Sequence, residues 1–277
     1  MLTIFRLTMR EVMNKKIFLI AAILSVVFLV LFGLMLDLTV KSIQSTPPFS
    51  MAKAMVYPQL FTMGLYFACF LVNLFAIFLS VGAISSEIEN GIMQAIVPKP
   101  VRRSGILLGK YLGYCFTLTV FGLLLFSAIF LLTKAICGYA PDNLIAGAGM
   151  FILQPLILLT LTMWGSAWLS TMANGITIIM LYVLATAGGM AETVGGFINN
   201  KALINTGIIT SLLVPTDAAY RKMVSVMMES GSNPLSALSV TPFGTGTPPS
   251  GLMVGYMFVH IGLFLLLLVW VFRRRDL

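Results

Sequence analysis

Residues 85–110 read SSEIENGIMQAIVPKPVRRSGILLGK, the longest polar interruption in the first half of the chain. Apolar runs flank it on both sides, so it emerges from a membrane on one face. Its charges are ordered, with Glu87 and Glu89 first and Lys99, Arg102, Arg103 and Lys110 after. Ser85 or Ser86 is placed to cap a short helix whose first turn carries the two glutamates, where the helix dipole favours them. Gly91 permits a bend or a close backbone approach. Ile92, Met93, Ile96 and Val97 follow as a small apolar patch, and Pro98 and Pro100 end the helix. A solvated loop has no need of that patch. It serves either to lie on the membrane surface or to dock a protein partner.

Outward from this stretch the chain is hydrocarbon-loving. Of 277 residues, 59% are hydrophobic and only 9% charged, with a mean hydropathy of +1.01, a composition that would be insoluble as a globular domain. The formal charge of +8 does not point to nucleic acid, because the basic residues sit at the ends of apolar runs and form no stripe with stacking aromatics. Cys69, Cys115 and Cys137 lie far apart without a C-x-x-C pair, so they give neither a disulfide framework nor a zinc site.

A span needs roughly 20 apolar residues to cross about 30 Å of hydrocarbon. Six stretches meet that length or approach it: Ile17–Leu36, Leu60–Ile84, Tyr111–Thr133, Leu144–Leu169, Ile176–Met190 and Gly251–Phe272. The fifth is short and ends in Gly188-Gly189. The first is too long for the apolar core of a signal peptide, and no small-residue cleavage site follows Asp37. Eleven cations (Arg6, Arg10, Lys15, Lys16, Lys99, Arg102, Arg103, Lys110, Arg273, Arg274, Arg275) fall on one side of these spans and six on the other. That asymmetry predicts cytoplasmic N- and C-termini and a multi-pass protein of the cell membrane.

Residues 1–16 are too polar to span, yet Leu2, Phe5, Met9, Val12 and Met13 recur at helical spacing with Arg6, Arg10 and Lys15 elsewhere around the wheel. Two readings fit: a helix in the inner interface with its cations toward anionic headgroups, or an extension of the first span. Between spans one and two, Pro47, Pro48 and Pro58 predict an outer loop over residues 37–59. Residues 191–250 form a longer outer loop. Within it, 203–214 is apolar but too short to cross, Pro215 marks a break, and Thr216 or Asp217 is placed to cap a new helix. In that helix Tyr220, Met223, Val224, Met227 and Met228 share one face while Arg221, Lys222, Ser225 and Glu229 point elsewhere, the pattern of a re-entrant or interfacial cap over the outer mouth. Residues 230–250, rich in Gly, Ser, Thr and Pro, read as loop. The whole chain, 1–277, reads as a single transmembrane domain.

Catalytic patterns fail on inspection. Gly105 to Lys110 looks like a phosphate loop, but only three residues separate Gly105 from Gly109, and Tyr111 stands where a magnesium-binding hydroxyl is required. Any ATP is therefore bound by another chain. Ser166 and His260 in principle form a protease dyad, but Trp164-Gly165-Ser166-Ala167 lacks the G-x-S-G of rhomboid-type intramembrane proteases, and a serine beside a glycine suits close helix packing. The methionines form no metal-binding cluster. No catalytic or metal-ligating residue is expected. His260, the only histidine, is unusual inside a span and marks either function or a neutral imidazole bonded to a neighbouring helix.

The run Glu87-x-Glu89-x-Gly91, then Pro100-Val101-Arg102-Arg103 and Gly109-Lys110, resembles the cytoplasmic loop of ABC-type transporter permeases of the type-2 exporter class. The similarity extends to Pro215-Thr216-Asp217, to Tyr220-Arg221 and to the six-span plan, and so covers nearly the whole chain. Ile92 departs from it, standing where the family usually has threonine.

The resemblance implies an all-α membrane protein of six transmembrane helices, with an N-terminal interfacial helix, a cytoplasmic coupling helix and outer re-entrant or interfacial helices between spans five and six. It implies a permease that pairs with a second copy of itself in the lipid bilayer and recruits two copies of an ABC ATPase subunit. This chain would then hold no cofactor, ATP and magnesium residing on the partner. Residues 86–97 would be the coupling helix, with Glu87, Glu89, Gly91, Ile92 and Ile96 contacting the ATPase, and with Arg103 and Lys110 anchoring the loop at the headgroups. Spans two and five face each other across the dimer in such proteins, which marks Thr62, Asn73, Thr177, Tyr182 and Thr186 as a cargo path and Glu192 as an exit gate or headgroup contact. The modest polarity of that path fits an amphipathic, lipid-like or peptide cargo. A stand-alone secondary transporter is the alternative function, although its usual signature of paired broken helices or charged residues in mid-span does not appear in the sequence; an intramembrane serine protease using Ser166 is a remoter one.

Overall fold

The computed structural model describes residues 2–44, 49–89, 103–141, 143–228 and 249–274, and all regular structure among them is helical. In chain order the helices are α1 (Leu2–Asn14), α2 (Lys16–Gln44), α3 (Phe49–Ser80), α4 (Ser85–Glu89), α5 (Arg103–Cys137), α6 (Leu144–Ser166), α7 (Thr171–Phe197), α8 (Lys201–Leu213), α9 (Thr216–Met228) and α10 (Gly251–Arg274). Six of them, α2, α3, α5, α6, α7 and α10, are long and apolar enough to cross a membrane. Helical hydrogen bonding satisfies their backbones within each segment, as a hydrocarbon medium requires.

Burial separates the centre of the bundle from its rim. In the most apolar stretch of α3, 61% of residues are buried within the chain, and in α6 56%, against 11% for α2 and 17% for α10. Thus α3 and α6 form the centre, and α2 presents Leu19, Ile23, Val27, Val30, Leu34 and Leu38 outward. α1 packs on α5: Phe5 meets Phe116 edge-on at 5.8 Å, Val12 is fully buried, and Thr8 lies so close to Gly113 that a Cβ there would sit 2.9 Å from it.

Several boundaries differ from those read in the sequence. α3 runs straight through Pro58, so residues 49–59 are helix, not loop; Pro47 and Pro48 lie outside the described residues. A proline deletes one backbone N–H, and a long membrane helix absorbs that local loss. α5 begins at Arg103, so the last part of the polar stretch is already helical. α7 extends to Phe197 and includes Gly188-Gly189. These glycines do not end the helix. They let α8 approach, since a Cβ on Gly188 would overlap Thr210 and one on Gly207 would overlap Glu192.

The segment after α7 takes the re-entrant form of the two expected for it. α8 and α9 bend by 103° about the break at Val214 and Pro215, forming a re-entrant hairpin. Both faces of α9 are buried, not only the apolar one. Tyr220, Met223, Val224 and Met227 join Phe61, Leu65, Phe126 and Phe151 in one core cluster, while Asp217 and Arg221 are buried as well. α9 is therefore inserted into the bundle and is not a cap lying over it. Thr216 is its first helical residue, so the expected side-chain cap is absent: the Thr216 hydroxyl has no partner, and Asp217 is committed to Arg221.

Candidate functional site

Among the described residues, three groups of polar side chains stand out in the apolar interior. The first joins α4 to the loop between α6 and α7. The Ser166 hydroxyl accepts from the backbone N–H groups of Ile84 and Ser85 at 3.1 and 3.0 Å. Ser85 and Thr171 share a hydroxyl–hydroxyl bond of 2.8 Å. The Glu89 carboxylate accepts from the N–H and the hydroxyl of Thr171, both at 3.3 Å, which places an anion at the start of α7, where the dipole favours it. Lys110 is buried and donates to the Ala83 carbonyl at 3.1 Å. Asn174 donates to the carbonyls of Val81 and Thr162 at 2.9 and 3.0 Å, in a space opened by Gly165, whose missing Cβ would overlap it. The turn at residues 81–84 is thus held from three sides.

The second cluster lies mid-bundle among α3, α6 and α7. The Asn73 amide donates to Tyr182 at 3.3 Å and, at a long 3.5 Å, to Gln154. The Gln154 amide in turn meets the Cys69 sulfur at 3.4 Å. Asn73 Oδ1 is buried with no partner.

The third cluster ties α9 to α7. The Arg221 guanidinium, 3% exposed, donates from Nε to Asp217 at 2.9 Å and from Nη2 to Glu192 at 2.7 Å. Asp217 fits because Gly189 has no side chain; a Cβ there would overlap its carboxylate. Tyr66, Gly189, Met190, Thr193 and Tyr220 complete a narrow cleft around the pair.

Of the residues singled out in the sequence, Asn73 and Tyr182 come together. Thr62 turns its hydroxyl onto Gln59 and offers its carbonyl to the Tyr220 hydroxyl at 3.0 Å. Thr177 is exposed on α7, and Thr186 bonds back to Val183, so neither joins the amide cluster. Glu192 lies in the Arg221 cluster. Glu89 faces Thr171, and Lys110 points into the protein at Ala83. Glu87 belongs to α4 and Arg103 opens α5, but their side chains, like the whole of Gly91, Ile92 and Ile96, lie outside the described residues. Ser166 and His260 do not bond each other, His260 being engaged with Leu213.

Sequence reasoning missed Gln154, Thr171 and Asn174, which carry no local signature. The i, i+4 spacing of Asp217 and Arg221 was a signal for their pair.

A family model described as an ABC-2 family transporter protein matches residues 2–277, almost the entire chain. No curated protein sequence matches it. With six apolar membrane-length helices and a match of that extent, the chain belongs to the ABC-2 family of transporter proteins and is a membrane subunit of an ABC transporter.

Proposed function

We propose that this subunit works as the permease of an ATP-driven exporter: two copies in the cell membrane, termini in the cytoplasm, with two copies of a separate ABC ATPase that holds ATP and magnesium. The observation that carries this reading is the linkage of α4 to Ser166 and Thr171. A force applied to Ser85–Glu89 is transmitted through short hydrogen bonds to the ends of α6 and α7 and, through Ala83 and Lys110, to α5. An element coupled so directly to several spans suits the task of turning closure of an ATPase pair into movement of helices. Residues 86–97, with Glu87, Glu89, Gly91, Ile92 and Ile96, form the proposed contact with the ATPase, and Arg103 and Lys110 flank it. The cargo is read as amphipathic, lipid-like or peptidic, moving past Thr62, Asn73, Thr177, Tyr182 and Thr186 toward Glu192, because this path offers few polar groups.

The test is co-purification of the tagged chain with a candidate ATPase encoded beside it, followed by ATPase assays with wild type and Glu87→Lys. A stable complex whose ATPase rate responds to the substitution supports the reading. Failure of the two to associate, with export of no ATP-dependent cargo, returns the stand-alone transporter.

A further inference from the structure

Helix α8 ends where a membrane protein can least tolerate loose backbone. Its last carbonyls, those of residues 211–213, have lost the helical partners that would follow. Val214 N–H still reaches the Thr210 carbonyl at 3.1 Å. Pro215 has no N–H to offer Ser211, and the 103° bend carries the N–H groups of Thr216 and Asp217 away from Leu212 and Leu213. Val214, Pro215 and Thr216 are buried, whereas Leu212 and Leu213 are 45% and 54% exposed; a surface this apolar faces hydrocarbon, where an unpaired carbonyl finds no water and costs several kcal/mol.

α10 supplies both missing donors. The Tyr256 hydroxyl donates to the Leu212 carbonyl, and His260 Nε2 stands 3.1 Å from the Leu213 carbonyl. Tyr256 and His260 are four residues apart on α10 and so share a face, matching two consecutive carbonyls. A carbonyl oxygen only accepts, so the histidine must carry its proton on Nε2. Its Nδ1 is buried with no partner, which leaves that nitrogen as the unprotonated one. The imidazole is held in this orientation by aromatic neighbours: Phe264 lies 4.5 Å from it and Tyr256 6.0 Å, centroid to centroid, and Phe264 itself meets Trp164 of α6 at 5.2 Å.

We infer that Tyr256 and His260 are positioning residues, a two-point clasp by which the last span holds the elbow of the re-entrant hairpin at depth in the bundle. The side chains take the place of the backbone donors that the break removes, and the imidazole acts as a fixed donor, neither a metal ligand nor a proton carrier. The clasp is a property of this chain alone and goes beyond the exporter reading, since it holds whatever cargo or partner the subunit takes.

Because the chain has a single histidine, protein labelled with ¹⁵N-histidine gives one imidazole spin system, and the full chain in detergent at neutral pH suffices. The clasp requires the neutral Nε2–H tautomer with a slowly exchanging proton. The Nδ1–H tautomer, an imidazolium, or rapid exchange overturns it. Hydrogen–deuterium exchange on variants provides the second arm. His260→Leu and Tyr256→Phe should accelerate exchange in residues 214–228 by about tenfold while peptides from α3 and α6 stay protected, and His260→Gln, whose amide can still donate, should restore most of the protection. Equal exchange in wild type and His260→Leu, or a glutamine variant no better than leucine, overturns the assignment.

Discussion

Arg221 and Glu192 meet at 2.7 Å across two helices that are separated in sequence by the whole elbow of the hairpin. Both side chains are largely buried, at 4% and 14% exposure, and Arg221 holds Asp217 as well. Removing one member of a buried pair strands the others, a loss of about 3–5 kcal/mol. Arg221→Met should therefore lower the melting temperature of the purified protein in detergent by several degrees. Arg221→Lys should recover only part of it, because an ammonium lacks the guanidinium fork that reaches two carboxylates at once. The triple variant Arg221→Met, Glu192→Gln, Asp217→Asn should melt above the single one. If the single and triple variants melt together, the cluster does not hold the hairpin.

Glycine packing between α7 and the hairpin gives a steric test. Gly189→Ala puts a methyl group where the Asp217 carboxylate lies, forcing the ion pair apart or α9 outward. Overpacking of this kind costs about 1–3 kcal/mol, and here it also disturbs a buried charge. Gly149→Ala is the control, since nothing lies within 4 Å of its added Cβ. Thermal melts should place Gly189→Ala well below wild type and Gly149→Ala beside it.

How much of this was legible beforehand depends on the length scale of the signal. Spans announce themselves through runs of apolar residues, so all six, and the break at Pro215, could be read directly. Helix ends were less accessible: Pro58 and Gly188-Gly189 obey local rules for loops, yet tertiary contacts and the hydrocarbon medium override them. The polar clusters were partly visible as residue types. Asn73, Tyr182, Glu192 and Glu89 are marked by the family resemblance, but their partners Gln154, Arg221 and Thr171 come from distant segments that it does not mark. The helical wheel sets Arg221 off the apolar face of its helix without naming a partner for it. Only the three-dimensional insertion of α9 shows why that arginine is buried.

The linkage at α4 supplies a prediction that separates assembly from coupling. Ser166 accepts two consecutive backbone N–H groups, those of Ile84 and Ser85, and no other change to that side chain is as small as loss of its oxygen. Ser166→Ala leaves both donors without their acceptor, at a cost of about 1–3 kcal/mol confined to the turn between α3 and α4. The six spans keep their packing, so insertion should be unaffected, and the melting temperature should fall by only a few degrees. If α4 conveys movement from an ATPase to α6 and α7, the variant should still bind that partner but hydrolyse ATP with weakened dependence on the permease, and Ser166→Thr, which restores the hydroxyl, should regain it. Loss of ATPase binding would instead place Ser166 in assembly of the contact surface. Unchanged binding together with unchanged stimulation would mean that the force travels by another route, with Lys110 and its bond to Ala83 the next side chain to replace.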